Sequence, residues 1–64
     1  MTKYRIDGEQ GWLDNFNDGI GTNYQENQIL DLSEREYEQL ISEFNYFNNM
    51  IAFGPALDLI EVEE

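Results

Sequence analysis

The sequence predicts an α+β domain: one amphipathic helix, about residues 34–50, packed on a three- or four-stranded, mostly antiparallel sheet. Three observations lead there. Residues 2–7 alternate as a strand does and 57–62 do so imperfectly, residues 34–51 carry apolar side chains at helical spacing, and nine aromatic residues (four Tyr, four Phe, one Trp) supply a core. The 64 residues make a single small acidic domain, since a chain of this size hides only about 60% of its unfolded surface on folding.

The first segment, TKYRID, sets Tyr4 and Ile6 on one face and Lys3, Arg5 and Asp7 on the other, the pattern of a half-buried strand. Gly8 and Gly11 bracket a turn. Trp12, Leu13 and Phe16 then form an apolar knot that anchors a loop or a short strand, Gly19 and Gly21 loosen the backbone, and Ile20 and Tyr24 are candidates to open a second strand. QILDL, residues 28–32, reads as a further strand with Leu30 and Leu32 on one side.

Ser33 and Glu36 have the spacing of a capping box, in which each side chain accepts from the other residue's backbone N–H, so a helix should begin at Glu34. Tyr37, Leu40, Ile41, Phe44, Phe47 and Ile51 follow, the later five lying 3, 4, 7, 10 and 14 residues from the first and filling an arc of roughly 120°, the width of a core-facing stripe. The helix should end among Asn48 to Phe53, with Gly54 taking a left-handed turn and Pro55 blocking continuation. In LDLIEV, residues 57–62, Leu57 and Leu59 share one face and Ile60 and Val62 the other. That fits a strand covered on both faces or broken by a bulge.

The stretch DNFNDGIGTNYQE, residues 14–26, raises the question of a calcium loop. A helix–loop–helix site needs oxygens at positions 1, 3, 5, 7, 9 and 12 and glycine at 6. Counting from Asp14 puts Gly19 at 6 but Phe16 at 3 and Gln25 at 12. Counting from Asn15 puts Glu26 at 12 but Ile20 at 6. No register satisfies all positions, and a turn-rich loop accounts for the same residues.

Charge is the dominant feature. Fourteen acids stand against three bases, a net of −11, with no histidine and no cysteine. Such a field repels nucleic acid and anionic lipid and attracts basic proteins; the plainer account is a coat that keeps a small protein dispersed. Without His or Cys, the Ser/His and Cys/His nucleophiles are impossible, and no thiolate metal site or disulfide exists. Gly19-x-Gly21 lacks the lysine of a phosphate loop and the third glycine of a dinucleotide fingerprint. Neither a cofactor nor catalysis is expected. No apolar run is long enough to span a bilayer, the first ten residues lack the apolar core of a signal peptide, and a cysteine-free chain suits the cytoplasm.

Lys3 and Arg5 are expected to be neutralised by Glu61 and Glu63 if the first and last strands are neighbours. Asp14, Asp18, Glu26, Asp31, Glu34, Glu36, Glu38 and Glu43 then have only Arg35 among them. Glu34 and Glu36 also suit the positive end of a helix, but Glu38 and Glu43 lie beyond its reach. Tyr46 and Met50 fall outside the apolar arc, one turn apart and beside acids. This is how an interface anchor is placed, unless the last strand or the 8–27 segment covers them.

In size, acid excess, lack of cysteine and helix-plus-sheet pattern, the chain resembles the small acidic inhibitors by which phages and mobile elements block host defence: DNA-mimic anti-restriction proteins, anti-CRISPR proteins and uracil-DNA glycosylase inhibitors. The resemblance is one of type rather than motif and assigns no residue. It implies a mechanism, in which carboxylates spaced like phosphates occupy the nucleic-acid channel of a basic enzyme. The expectation is therefore a non-catalytic inhibitor of a basic nucleic-acid-binding protein such as a host nuclease or CRISPR effector. Asp14, Asp18, Asp31, Glu34, Glu38 and Glu43 would stand in for phosphates, with Tyr46 and Met50 as apolar anchors. An immunity protein or antitoxin for a basic toxin, or an accessory subunit, is the alternative.

Overall fold

The computed structural model describes residues 1–51 and 54–63. The elements run β1 (Thr2–Asp7), α1 (Gln10–Ile20), β2 (Ile29–Leu32), α2 (Glu34–Ile51) and β3 (Asp58–Glu61). The α+β class and an antiparallel sheet agree with expectation; the additional helix α1 does not. Phe53, counted above among the aromatics and as the far limit of the helix end, lies outside the described residues.

The segment expected to be an irregular loop is α1. Gly11, Gly19 and four Asp or Asn residues in eleven give it poor intrinsic helicity. Tertiary burial overrides that: Leu13 and Phe16 lie one turn apart and are both buried. Its ends are secured from outside. Gln10 N–H donates to Glu26 Oε1 at 3.0 Å, and Glu26 N–H donates to Gln10 Oε1 at 2.8 Å, so a carboxylate sixteen residues away caps the helix start. At the other end Gly21 takes φ 76° and its N–H donates to Asn17 O at 2.7 Å. Ile20 therefore ends a helix rather than beginning a strand. Tyr24 lies in a loop held by Asn17, whose Nδ2 donates to Tyr24 O at 2.8 Å and whose Oδ1 accepts from Tyr24 N–H at 3.0 Å.

α2 starts where the capping box placed it. Ser33 N–H donates to Glu36 Oε1 at 3.0 Å and Glu36 N–H to Ser33 Oγ at 3.2 Å. Leu40, Phe44 and Phe47 are buried on it, with Tyr37, Ile41 and Ile51 packed beside them. Gly54 adopts φ 97°, the left-handed turn expected after the helix.

The sheet order is β2-β1-β3, with β1 antiparallel to both neighbours. The register sets Ile6 opposite Leu59 and Tyr4 opposite Leu30. This face meets the helices: Ile6 and Leu59 join Leu13, Phe16, Leu40, Phe44, Phe47 and Leu57 in one core. Phe16 meets Phe44 edge-on at 4.9 Å, and Tyr4 stacks on Tyr37 at 4.5 Å. The other face is open, with Ile29 49% and Ile60 40% exposed. The last strand is thus covered on one side only, and its register from Asp58 to Glu61 has no bulge.

Among the described residues, Arg5 is not paired with Glu61 or Glu63 as expected. β1 and β3 are neighbours, but Glu61 stands opposite Tyr4, on the helix side, while Arg5 stands opposite Ile60. Strand pairing keeps paired residues on one face, and the register puts the glutamate out of phase with the bases. Asp31 of β2 lies opposite Lys3 instead, and Arg5 Nη1 lies 3.9 Å from Asp7 Oδ1.

Two details fix the segment before β3. Buried Asn48 donates from Nδ2 to Leu57 O at 2.9 Å and accepts Leu57 N–H on Oδ1 at 2.9 Å, replacing the ladder bonds that Leu57 lacks. Gly8 passes so close that a Cβ there would sit 2.6 Å from Leu57 Cδ2 and 2.7 Å from Ala56 O.

Candidate partner-binding surface

α1 and α2 lie side by side on the sheet, joined by Phe16 against Phe44 and Phe47 and by the edge of Trp12 against Phe47. Beside that contact lies a groove of about 420 Å³. Phe16, Gly19 and Ile20 of α1 face Glu43, Tyr46 and Met50 of α2 across it. The large apolar side chains on its rim are uncovered: Tyr46 is 71% exposed, Met50 65% and Ile20 46%. Tyr46 and Met50 are therefore surface residues, which the sequence left open.

The structure divides the candidate acids among several places. Glu43 is at the groove. It also faces Tyr24, whose hydroxyl pKa is raised, first by burial and then by the Glu43 charge. Asp14 and Asp18 lie on the opposite flank of α1, toward the 21–25 loop, with Asn17 between them. Asp14 Oδ1 accepts from Gln10 Nε2 at 2.9 Å. At about 100° per residue, Glu34 and Glu38 fall on the flank of α2 away from Glu43, Tyr46 and Met50. Asp31 is on the open face of the sheet, opposite Lys3. One surface thus combines Glu43, Tyr46 and Met50; Glu34 and Glu38 share a flank of α2, and Asp31 stands apart on the open face of the sheet.

Several acids already have structural partners. Glu26 caps α1, Glu36 completes the capping box, and Asp58 Oδ1 accepts the Leu59 N–H at 2.8 Å. The Ser33 backbone and hydroxyl hydrogen bonds hold the Glu36 carboxyl below its ordinary range. By contrast, the side chains of Asp18, Asp31, Glu34 and Glu38 form no hydrogen bond or ion pair with a described residue. Glu34 and Glu38 are one turn apart, where like charges repel.

The stretch that raised the calcium question lies largely on a helix. Residues 14–20 belong to α1 and only 21–26 to the loop. Among the described residues no three acids converge as metal ligands would, and no described helix is long and apolar enough to cross a membrane. No protein-family model matches the chain, and neither a curated protein nor a solved structure is significantly similar to it.

Ile20, Gly19 and Phe16 were not assigned to a binding surface from sequence because α1 was read as a loop. The signal was there in Leu13, Phe16 and Ile20, spaced by three and four, but Gly19 and the Asn/Asp residues masked it.

Proposed function

We propose that this protein is a non-catalytic inhibitor that docks on a basic, nucleic-acid-binding protein and competes with nucleic acid for it. The observation that supports the proposal is the set of carboxylates at Asp18, Asp31, Glu34 and Glu38 that form no hydrogen bond or ion pair with a described residue, on a chain of net charge −11. Acids kept only for folding would sit beside bases or at helix starts. Glu38 stands beyond the first turn and, although Arg35 is three residues away, forms no ion pair with a described residue; its repulsion with Glu34 is relieved when a cationic surface meets both. Carboxylates one helical turn apart, about 6 Å, suit a surface built to hold successive phosphates. A host nuclease or CRISPR effector is the class of target that this chemistry fits.

The test is capture on the immobilised protein, followed by elution with a salt gradient and, separately, with a DNA oligonucleotide. Affinity should collapse as ionic strength rises, because exposed charges are screened beyond about 8 Å at physiological salt, and the oligonucleotide should displace the captured protein. Binding indifferent to salt would exclude the mechanism. The groove favours a second reading: an immunity-type protein that grips a basic toxin through apolar side chains away from its nucleic-acid channel. In that case salt weakens binding but the oligonucleotide does not displace it.

A further inference from the structure

We propose that the groove between α1 and α2 receives an amphipathic cationic helix of the partner. The inference rests on the reading above that the partner is basic, and it names the part of the partner that this site takes.

The groove offers no sheet edge. Its walls are two α-helices whose N–H groups here are bonded within each helix, and only last-turn carbonyls such as those of Gly19, Ile20 and Met50 lack an intrahelical donor, so the carbonyls of an extended peptide would find no backbone donors there. A helix satisfies its backbone internally and can lay an apolar face on Phe16, Phe47 and the exposed Ile20, Tyr46 and Met50. It would complete a three-helix layer at ordinary interhelical distance, about 8–10 Å.

Gly19 points the same way. Glycine is a poorer helix former than alanine, by up to about 1 kcal/mol in a helix interior; at Gly19, in the last turn of α1, a Cβ would meet nothing within 4 Å and the backbone is not in a left-handed conformation. The fold itself has no use for glycine at this position. An incoming helix does, because glycine lets its backbone approach closely. Gly11 has equally open surroundings but stands in the first turn, away from the groove.

Charge decides the chemistry of the occupant. Glu43 lines the groove and no base does. A second copy of this chain would bring another −11 onto the first, whereas lysines or arginines flanking an apolar stripe would meet Glu43 and the wider negative field. Met50 adds a side chain that reshapes easily around its guest.

The probe is an 18-residue peptide with leucines at i, i+3, i+4 and i+7 spacing and lysines elsewhere, compared with a scrambled isomer of the same composition. Binding is followed by fluorescence anisotropy and by the methyl signals of Met50 and Ile20. The patterned peptide should bind at least about tenfold tighter than the scrambled one, and Gly19→Leu should remove that advantage, an effect the size of one interface hot spot. Circular dichroism should show Gly19→Leu folded, since leucine is the better helix former. Glu34→Gln with Glu38→Gln should weaken both peptides alike. Equal binding of the two peptides, a patterned peptide indifferent to Gly19→Leu, or unmoved Met50 and Ile20 methyls in the wild type would each overturn the proposal. Should an apolar, uncharged helix bind as tightly, the cationic requirement falls with it. If the groove fails these tests while oligonucleotide still displaces the captured protein, the functional reading survives without this inference. If the patterned peptide binds as expected but no captured protein is displaced by oligonucleotide, the inference survives without the inhibitor reading.

Discussion

Asn48→Ala should be among the most damaging single substitutions in this chain. The side chain is buried and makes two hydrogen bonds of 2.9 Å, one to each backbone group of Leu57. Leu57 is itself fully buried and carries the chain from the end of α2 into β3. Removing the amide leaves a buried N–H and a buried C=O without partners, each costing about 1–3 kcal/mol, and leaves a small void beside them. A loss of about 3 kcal/mol is a modest total for those effects. Domains of this length have stabilities of about 3–10 kcal/mol, so a third or more of the total would go. At about 4–8 °C per kcal/mol for a chain of this size, Tm should fall by roughly 12–24 °C. Thermal and urea unfolding, followed by circular dichroism, measure it directly. A fall of under about 5 °C would mean that water or a shifted backbone replaces both bonds, and that Asn48 does not hold the β3 approach. Asn48→Asp refines the test. A neutral carboxyl can still donate to Leu57 O, whereas a buried carboxylate cannot. Burial raises the folded-state pKa above the unfolded one, so this variant should be most stable in acid and lose stability as pH rises through that folded value.

Gly8→Ala should destabilise by about 2 kcal/mol or more, through the overlap of its methyl with Leu57 and the Ala56 carbonyl; a urea midpoint equal to wild type would refute the close approach. Gly19→Ala should do the opposite, adding about 0.5–1 kcal/mol through helix propensity in an unobstructed position, read as a Tm rise of a few degrees. The Glu36 carboxyl is held below its ordinary range by Ser33, so its contribution is complete above the unfolded glutamate pKa and is lost as pH falls through the lower folded value. Tm–pH curves of wild type and Glu36→Gln should therefore converge in acid; parallel curves would contradict the capping box. Ser33→Ala should cost about 1 kcal/mol at neutral pH by loss of the same cap.

Legibility in the sequence followed the strength of the local signal. β1, the capping box and the α2 stripe were readable because each rests on short-range chemistry: alternation, a reciprocal pair three residues apart, and a 3.6-residue period. α1 was not readable, because its residues disfavour a helix in isolation and its cap, Glu26, comes from the far side of a loop. Long-range capping leaves no local trace. Missing α1 also hid half of the groove, so Tyr46 and Met50 were identified without the residues opposite them. The charge pairing of β1 with β3 failed for a related reason: adjacency entered only as a condition, and the phase of the register depends on the turn at Gly54 and the clamp at Asn48. The placement of the acids was only partly readable: Glu34 and Glu38 follow from the period of α2, whereas the positions of Asp14 and Asp18 depended on the missed α1 and that of Asp31 on the register with β1.

The central claim is that the unpartnered carboxylates serve docking rather than folding, and the variant Asp18→Asn/Glu34→Gln/Glu38→Gln separates the two. Its affinity should be measured for the basic protein captured on wild type, alongside its own Tm. The expected result is a Tm within a few degrees of wild type, because relief of like-charge repulsion offsets the loss of Glu34 at the helix start, with affinity reduced about tenfold or more at low salt and the difference vanishing at high salt. Unchanged affinity at low salt, or a Tm that falls while affinity holds, would contradict the account.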